Sequence, residues 1–102
     1  MYGSIMRGRL KPGRRDEFER MFAELAPVHT EHGLISAELA WEVGDPNAFL
    51  EIIHFRDRDS YERNAARPQT DADFRRQMEF LEGEPEWIDV EYGVAAGSTV
   101  RA

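Results

Sequence analysis

Residues 34–56 read LISAELAWEVGDPNAFLEIIHFR, and this stretch decides the fold because it holds two strand patterns on either side of one turn. Over Leu34–Val43, apolar residues recur at every second position from Ile35 onward, which is the period of a strand with one buried face. The four turn formers Gly-Asp-Pro-Asn follow at residues 44–47. A second apolar run covers Ala48–Arg56. Two strands with so short a connection predict an antiparallel hairpin.

The second strand of this hairpin is apolar on both faces. Leu50 and Ile52 lie on one side of the predicted strand, and Phe49, Ile53 and Phe55 lie on the other. Such a strand is usually central in its sheet or covered on both sides. Since the helices of one small chain would cover a single face, we expect a second copy of the chain to cover the other face.

A strand and a helix precede the hairpin. The strand is predicted over Tyr2–Leu10, where apolar and polar residues mix with some alternation. A helix follows, because Phe18, Met21, Phe22 and Leu25 fall at i, i+3, i+4 and i+7. The first half of the chain therefore supplies one strand and one amphipathic helix.

A helical region in two pieces and a last strand follow the hairpin. Pro68 separates the two pieces, and Asp59 and Thr70 are the predicted N-caps. The final strand is predicted over Glu86–Ala95.

The predicted order is β-α-β-β-α-β, which is the ferredoxin-like arrangement of the α+β class. It places two helices on one face of a four-stranded antiparallel sheet. We expect a single domain over residues 1–95 and a flexible tail over residues 96–102, which has little to bury.

The charge of the chain limits its partners. It carries 13 Lys and Arg against 20 Asp and Glu, a formal net charge of -7. Negative potential repels phosphate backbones and anionic lipid, so we expect neither nucleic acid nor a membrane surface as a partner.

The chain has no cysteine, which excludes disulfides, thiolate metal sites and a Cys nucleophile. No apolar stretch approaches the roughly 20 residues of a membrane helix, and the first residues do not resemble a signal peptide. These features predict a cytoplasmic location.

Several motifs resemble those of the antibiotic biosynthesis monooxygenase (ABM) family, over about residues 2–95. They are the Lys11-Pro12-Gly13 turn before the helix with Phe18, the strand that ends in Phe55, and the short helix through Asn64. The segment Glu84-Pro85-Glu86-Trp87 is the most distinctive element. The resemblance implies a homodimer whose two sheets close into a dimeric α/β barrel, with a pocket between sheet and helices in each subunit.

The resemblance also implies an activity. Some members of the family oxidise aromatic polyketides or quinols with O₂ and no metal or flavin. We therefore expect a monooxygenase-like protein, without a tightly held cofactor, that acts on a small aromatic or quinol-type molecule. The alternative is a non-catalytic homodimer of the same fold that binds a small molecule or serves a structural role.

The chain departs from the family pattern at two positions. In our alignment Asn64 stands where members often carry a His, and Ile53 stands where many have a Glu on the third strand. The Asn, Trp and His of the haem-cleaving branch are not all present, which disfavours haem cleavage.

Four polar residues are the candidate catalytic groups. His54 on the third strand is a pocket base or, alternatively, a hydrogen-bonded strand residue. Tyr61, Asn64 and Arg67 share the first piece of the second helical region, where an amide and a guanidinium can polarise a carbonyl or steady an oxyanion. Otherwise Asn64 and Arg67 are polar helix-end residues and Tyr61 belongs to the core.

Aromatic and histidine residues complete the candidates. Trp41, Trp87 and Tyr92 are predicted to contact an aromatic substrate, with core packing as the alternative for Trp41 and Tyr92, and edge or dimer contact for Trp87. His29 and His32 have the spacing of two metal ligands, but no third ligand is near in sequence. We therefore expect no metal site, and we interpret both as helix-end histidines that interact with the helix dipole.

Overall fold

The strands and helices follow one another in the order that the sequence predicts. The computed structural model describes residues 1–94, and the tail predicted over residues 96–102 lies outside them. The elements are β1 (Tyr2–Arg9), α1 (Arg15–Thr30), β2 (Leu34–Trp41), β3 (Ala48–Phe55), α2 (Arg58–Ala65), α3 (Pro68–Met78) and β4 (Glu86–Glu91).

The four strands form one antiparallel sheet in the order β2-β3-β1-β4. The hairpin supplies β2 and β3, and β3 lies inside the sheet, as its two apolar faces predict. Ile5 of β1 stands between Ile52 of β3 and Ile88 of β4, which fixes the register across the three strands. The ferredoxin-like α+β prediction is confirmed, with the second helical region divided into α2 and α3 where Pro68 begins α3.

The buried core occupies one end of the helix-covered face. Phe18 from the first half of α1 lies 4.9 Å from Phe49 and 5.6 Å from Phe80, measured between ring centroids. Met6 and Leu10 complete this cluster and are fully buried. The second half of α1 extends beyond the cluster, over the other end of β3, and this leaves room for a cavity.

Several predicted boundaries and faces are wrong in detail. The N-cap of α2 is Asp57, not Asp59, because Asp57 is extended and its carboxylate accepts a hydrogen bond from the Ser60 amide at 2.8 Å. Because α3 begins at Pro68, Thr70 lies inside the helix instead of capping it. A register shift between Leu34 and Ser36 interrupts the alternation, and it leaves Ile35 54% exposed.

Two strand ends also differ from the prediction. β2 ends at Trp41, so Val43 lies in the turn and is fully exposed. β4 ends at Glu91, four residues earlier than the predicted Ala95.

The other face of the sheet carries a row of isoleucines, and among residues 1–94 no helix covers it. Ile5, Ile52 and Ile88 form a row across it, with Ile88 59% exposed and Leu50 39% exposed. We call this surface the outer face. Within residues 1–94, no helix combines the length and the apolar character that crossing a bilayer requires.

Candidate active site

A cavity of about 310 Å³ lies between the sheet and the second half of α1, with α2 and α3 closing its sides. Its walls are mainly apolar, because the inward-facing positions of these elements are aromatic or aliphatic. The apolar lining includes Phe22, Leu25, Leu34, Phe55, Phe74 and Trp87. The volume and the apolar lining suit a small aromatic molecule.

Glu51 is the acidic group that β3 places in this cavity. The strand alternation puts it on the same side as Phe49 and Ile53, facing the helices, and it is 6% exposed. Its Oε2 atom has no hydrogen-bond partner among residues 1–94. Burial raises the pKa of the Glu51 carboxyl to about 7, because the charged form loses its hydration. Near neutral pH the carboxyl can therefore both accept and return a proton.

His29 joins the three helices at the far end of the cavity. It lies in the last turn of α1, and its ring packs between α2 and α3. Its Nδ1 atom is 3.2 Å from Asn64 Oδ1, and its Nε2 atom is 3.1 Å from Asp73 Oδ2. The side chains of His29 and Asp73 are only 13% and 8% exposed.

The neighbours of His29 fix its donor and acceptor roles. Arg67 Nη1 donates to Asn64 Oδ1 at 3.0 Å, which identifies that atom as an acceptor, since a guanidinium has only donors. Gln69 Nε2 donates to Asp73 Oδ1 at 2.8 Å and orients the carboxylate. Both ring nitrogens of His29 thus face acceptors, and these contacts hold the ring in one orientation beside the cavity.

Tyr61 adds a hydroxyl to the cavity wall. Its ring lies 5.4 Å from that of Phe55, and its hydroxyl donates to Asp89 Oδ1 at 3.3 Å. Burial is the largest of the effects that raise the pKa of Tyr61, so the phenol stays protonated and remains a hydrogen-bond donor. Gln77 also lines the cavity, and its Oε1 atom has no hydrogen-bond partner within residues 1–94. A polar ligand could use the free oxygens of Gln77 and Glu51.

Three of the predicted site residues meet at this cavity. Tyr61, Asn64 and Trp87 line it. Trp87 lies on the edge strand β4, faces the helices and packs against Phe74 with a 5.5 Å centroid separation, so it belongs to the cavity wall and not to the outer face.

The other four predicted residues lie elsewhere. His54 stands on the outer face, where its Nε2 atom is 2.7 Å from Glu38 Oε1 and its ring stacks on Tyr92 at 4.4 Å. Trp41 packs at the core end of the sheet, 6.3 Å from Phe49. Arg67 lines a separate polar cleft, although it contacts Asn64.

Sequence reasoning missed Glu51, His29, Asp73 and Gln77 as cavity residues. The signal for Glu51 was present, because a carboxylate at every-second-residue spacing from Phe49 and Ile53 must face the same side. For His29, the signal was its place four residues after Leu25 in the apolar stripe of α1. Among residues 1–94, no three acidic or histidine side chains gather as a metal site would need.

Comparisons with known proteins agree on one family. Residues 1–76 match the model of the family described as antibiotic biosynthesis monooxygenase, which confirms the resemblance. No curated protein sequence matches the chain.

Solved structures share the fold. A candidate antibiotic biosynthesis monooxygenase from Deinococcus radiodurans has a TM-score of 0.79 at 13% identity, covering 97% of this chain and 99% of its own. SnoaB, a cofactor-independent oxygenase from Streptomyces nogalater, has a TM-score of 0.74 at 20% identity, covering 93% of this chain and 97% of its own.

Proposed function

The chain belongs to the antibiotic biosynthesis monooxygenase family, and from this premise we propose that it is a cofactor-independent monooxygenase that oxidises a small aromatic or quinol-type molecule with O₂. The observation that carries the proposal is Glu51, a carboxyl with a pKa of about 7 inside an apolar cavity. SnoaB, which shares the fold, is described as a cofactor-independent oxygenase.

Glu51 is the proposed base. In its ionised form it removes a proton from an activated C–H or O–H group of the substrate, and the substrate anion then reduces O₂. For a methylene group flanked by aromatic rings, one oxygen atom ends in a new carbonyl and the other leaves as water. Because the substrate supplies the electrons, the protein needs to supply only a base, a charged environment and a dry cavity.

His29 and Tyr61 are the proposed stabilising groups. The His29–Asp73 pair places polar groups on the cavity wall, where they can stabilise an anionic intermediate. Tyr61 places its phenol on the cavity wall, and Asn64 holds His29 in place. Trp87 contacts the aromatic body of the substrate. The proposed site omits the four predicted residues that do not line the cavity, which are His54, Arg67, Trp41 and Tyr92.

The outer face supports a homodimer, which is part of the proposal. A second sheet packed on the Ile5, Ile52 and Ile88 row would cover apolar surface that one chain leaves open, and it would form the dimeric α/β barrel of the family. Light scattering should then give about twice the 11.8 kDa chain mass. A monomer at micromolar concentration would contradict this. The cytoplasmic location stays a prediction.

A second function is a binding protein without catalysis. It is favoured by the hydrogen bonds among His29, Asn64 and Asp73, since polar groups that already satisfy one another need no substrate. In that case the cavity would bind an aromatic molecule reversibly, and Glu51 would only discriminate among ligands by charge.

Oxygen uptake separates the two functions. We would measure O₂ consumption with anthrones and hydroquinones for the wild type, for Glu51→Gln and for the control Glu79→Gln, whose exposed carboxylate lies outside the cavity. If the protein is an enzyme, we expect the wild type to consume O₂. Glu51→Gln should then reduce the rate of consumption by about a hundredfold or more, and Glu79→Gln should leave it unchanged. Binding of these compounds with no uptake above buffer would favour the binding protein.

A further inference from the structure

A second, polar cleft adjoins the cavity on the other side of Asn64. It has a volume of about 440 Å³ and lies where the end of α1, the end of β3 and helix α2 meet. Arg56, Arg63 and Arg67 line it, and Glu31 is the one acidic side chain in its lining. Three guanidinium groups thus line one cleft on a chain whose formal net charge is -7.

Two of these guanidinium groups converge on one buried oxygen. Arg56 Nη2 donates to Ser60 Oγ at 2.9 Å, and Arg63 Nη2 donates to the same atom at 3.4 Å. Ser60 is 1% exposed and its hydroxyl is neutral, so it does not neutralise either guanidinium group. Each arginine also pairs with an exposed carboxylate, Asp57 at 3.3 Å and Asp59 at 3.2 Å, and such surface pairs contribute little.

Arg67 differs from the other two because it has no carboxylate partner within residues 1–94. Its side chain is partly buried, and its Nη1 atom donates at 3.0 Å to the neutral amide oxygen of Asn64. A guanidinium has five N–H donors, so most of those on Arg67 stay available toward the cleft. A partly buried cation with only a neutral partner favours an added anion.

We propose that this cleft binds the oxyanion of a small molecule, either a carboxylate or a phosphate group. The planar guanidinium group of an arginine can bind two oxygens of such an anion at once. Here the guanidinium groups of Arg56 and Arg63, which converge on Ser60, and that of Arg67 line the same cleft. This goes beyond the oxygenase proposal and does not depend on it, because binding requires no turnover. Asn64 Oδ1 accepts from both Arg67 and His29, so a bound anion would lie one residue away from the cavity.

Titrations followed by NMR test the proposal. Inorganic phosphate and benzoate would be added separately, at constant ionic strength set by chloride, to the ¹⁵N-labelled full chain. We expect saturable shifts at the amides of Gly33, Ser60 and Asn64, which lie in the cleft. Arg67→Gln should weaken the binding by about tenfold or more, because a charge-assisted hydrogen bond is lost.

Two further variants serve as controls for the titrations. Arg20→Gln removes the same charge from an exposed position on α1 outside the cleft, and it should leave the affinity unchanged. Arg56→Gln is a second variant within the cleft, in case Arg67→Gln fails to give a dispersed spectrum. Saturation by phosphate alone assigns a phosphate ester, and saturation by benzoate alone assigns a carboxylic acid. No saturable shift with either probe, or equal affinity in the Arg67 and Arg20 variants, would overturn the proposal.

Discussion

Replacing Glu51 by Gln should remove a pH-dependent loss of stability that the wild type carries. The carboxyl is almost fully buried among apolar side chains, and its Oε2 atom has no hydrogen-bond partner within residues 1–94. Ionisation in that place costs free energy in the folded protein and none in the unfolded chain. Gln has nearly the same shape and stays neutral at every pH, so it resembles the protonated form of Glu51.

The sign and the size of the effect follow from the pKa of Glu51. Burial raises it from 4.5 to about 7 in the folded protein. Glu51 therefore holds its proton more tightly in the folded state than in the unfolded chain, and its protonation stabilises the folded state. This stabilisation is complete below pH 4.5 and is lost as the pH rises through 7. A difference of this size corresponds to about 3 kcal/mol between the two limits. The free energy of unfolding of Glu51→Gln, relative to that of wild type, should therefore increase by about 3 kcal/mol from acid to mildly alkaline pH.

Urea unfolding across the pH range measures this gain. The wild type, Glu51→Gln and the exposed control Glu79→Gln would be compared at one protein concentration, since a dimer makes stability concentration-dependent. We expect the free energy of unfolding of Glu51→Gln to rise above that of wild type between pH 4.5 and about 7 and the difference to level off at higher pH, while Glu79→Gln follows wild type. Parallel curves for wild type and Glu51→Gln would show that Glu51 titrates normally, and they would refute the proposed base.

Three further predictions concern the core, the His29 pair and the outer face. Phe18→Ala should lower the free energy of unfolding by about 3–5 kcal/mol in urea, because it empties the centre of the ring cluster; a loss below about 1 kcal/mol would mean that the cluster is not the main core. Asp73→Asn should cost about 1–3 kcal/mol and reduce O₂ uptake, because His29 loses a buried charged partner; unchanged values for both would exclude the pair from the site. Ile88→Asp should halve the mass measured by light scattering if the outer face is the dimer interface, and an unchanged dimer would place the interface elsewhere.

The fold could be predicted well because the strand and turn patterns that define it each lie within a short stretch of sequence. The apolar run over residues 48–55 identifies the strand, and the turn formers at residues 44–47 predict its hairpin partner. The register shift at Leu34 could not be read in the same way. A strand pattern shows which residues alternate, but an added residue in the ladder depends on the strand beside it. Ile35 consequently appeared on the apolar face and is exposed.

The site was predicted less well because it is assembled across elements that are distant in sequence. His29 and Asp73 are 44 residues apart, and neither indicates the other until α1 and α3 pack together. His54 drew attention as the histidine on the most apolar strand, yet its position one residue after Ile53 turns it to the outer face. Glu51 was within reach of sequence reasoning, since the strand period alone places it beside Ile53 and inside the sheet–helix layer.

The division of the helix-covered face into two ends explains how the chain can hold a reactive carboxyl and remain folded. At one end the rings of Phe18, Phe49 and Phe80 fill the space between sheet and helices. At the other end α1 places Ala26 and His29 over Glu51, and small or polar side chains leave a cavity. Burial there raises the free energy of the ionised Glu51, and this destabilising contribution makes the carboxyl a usable base at neutral pH. Substitution of Glu51 by Gln should therefore raise stability at neutral pH while it lowers activity, whereas substitutions at the ring cluster should lower stability.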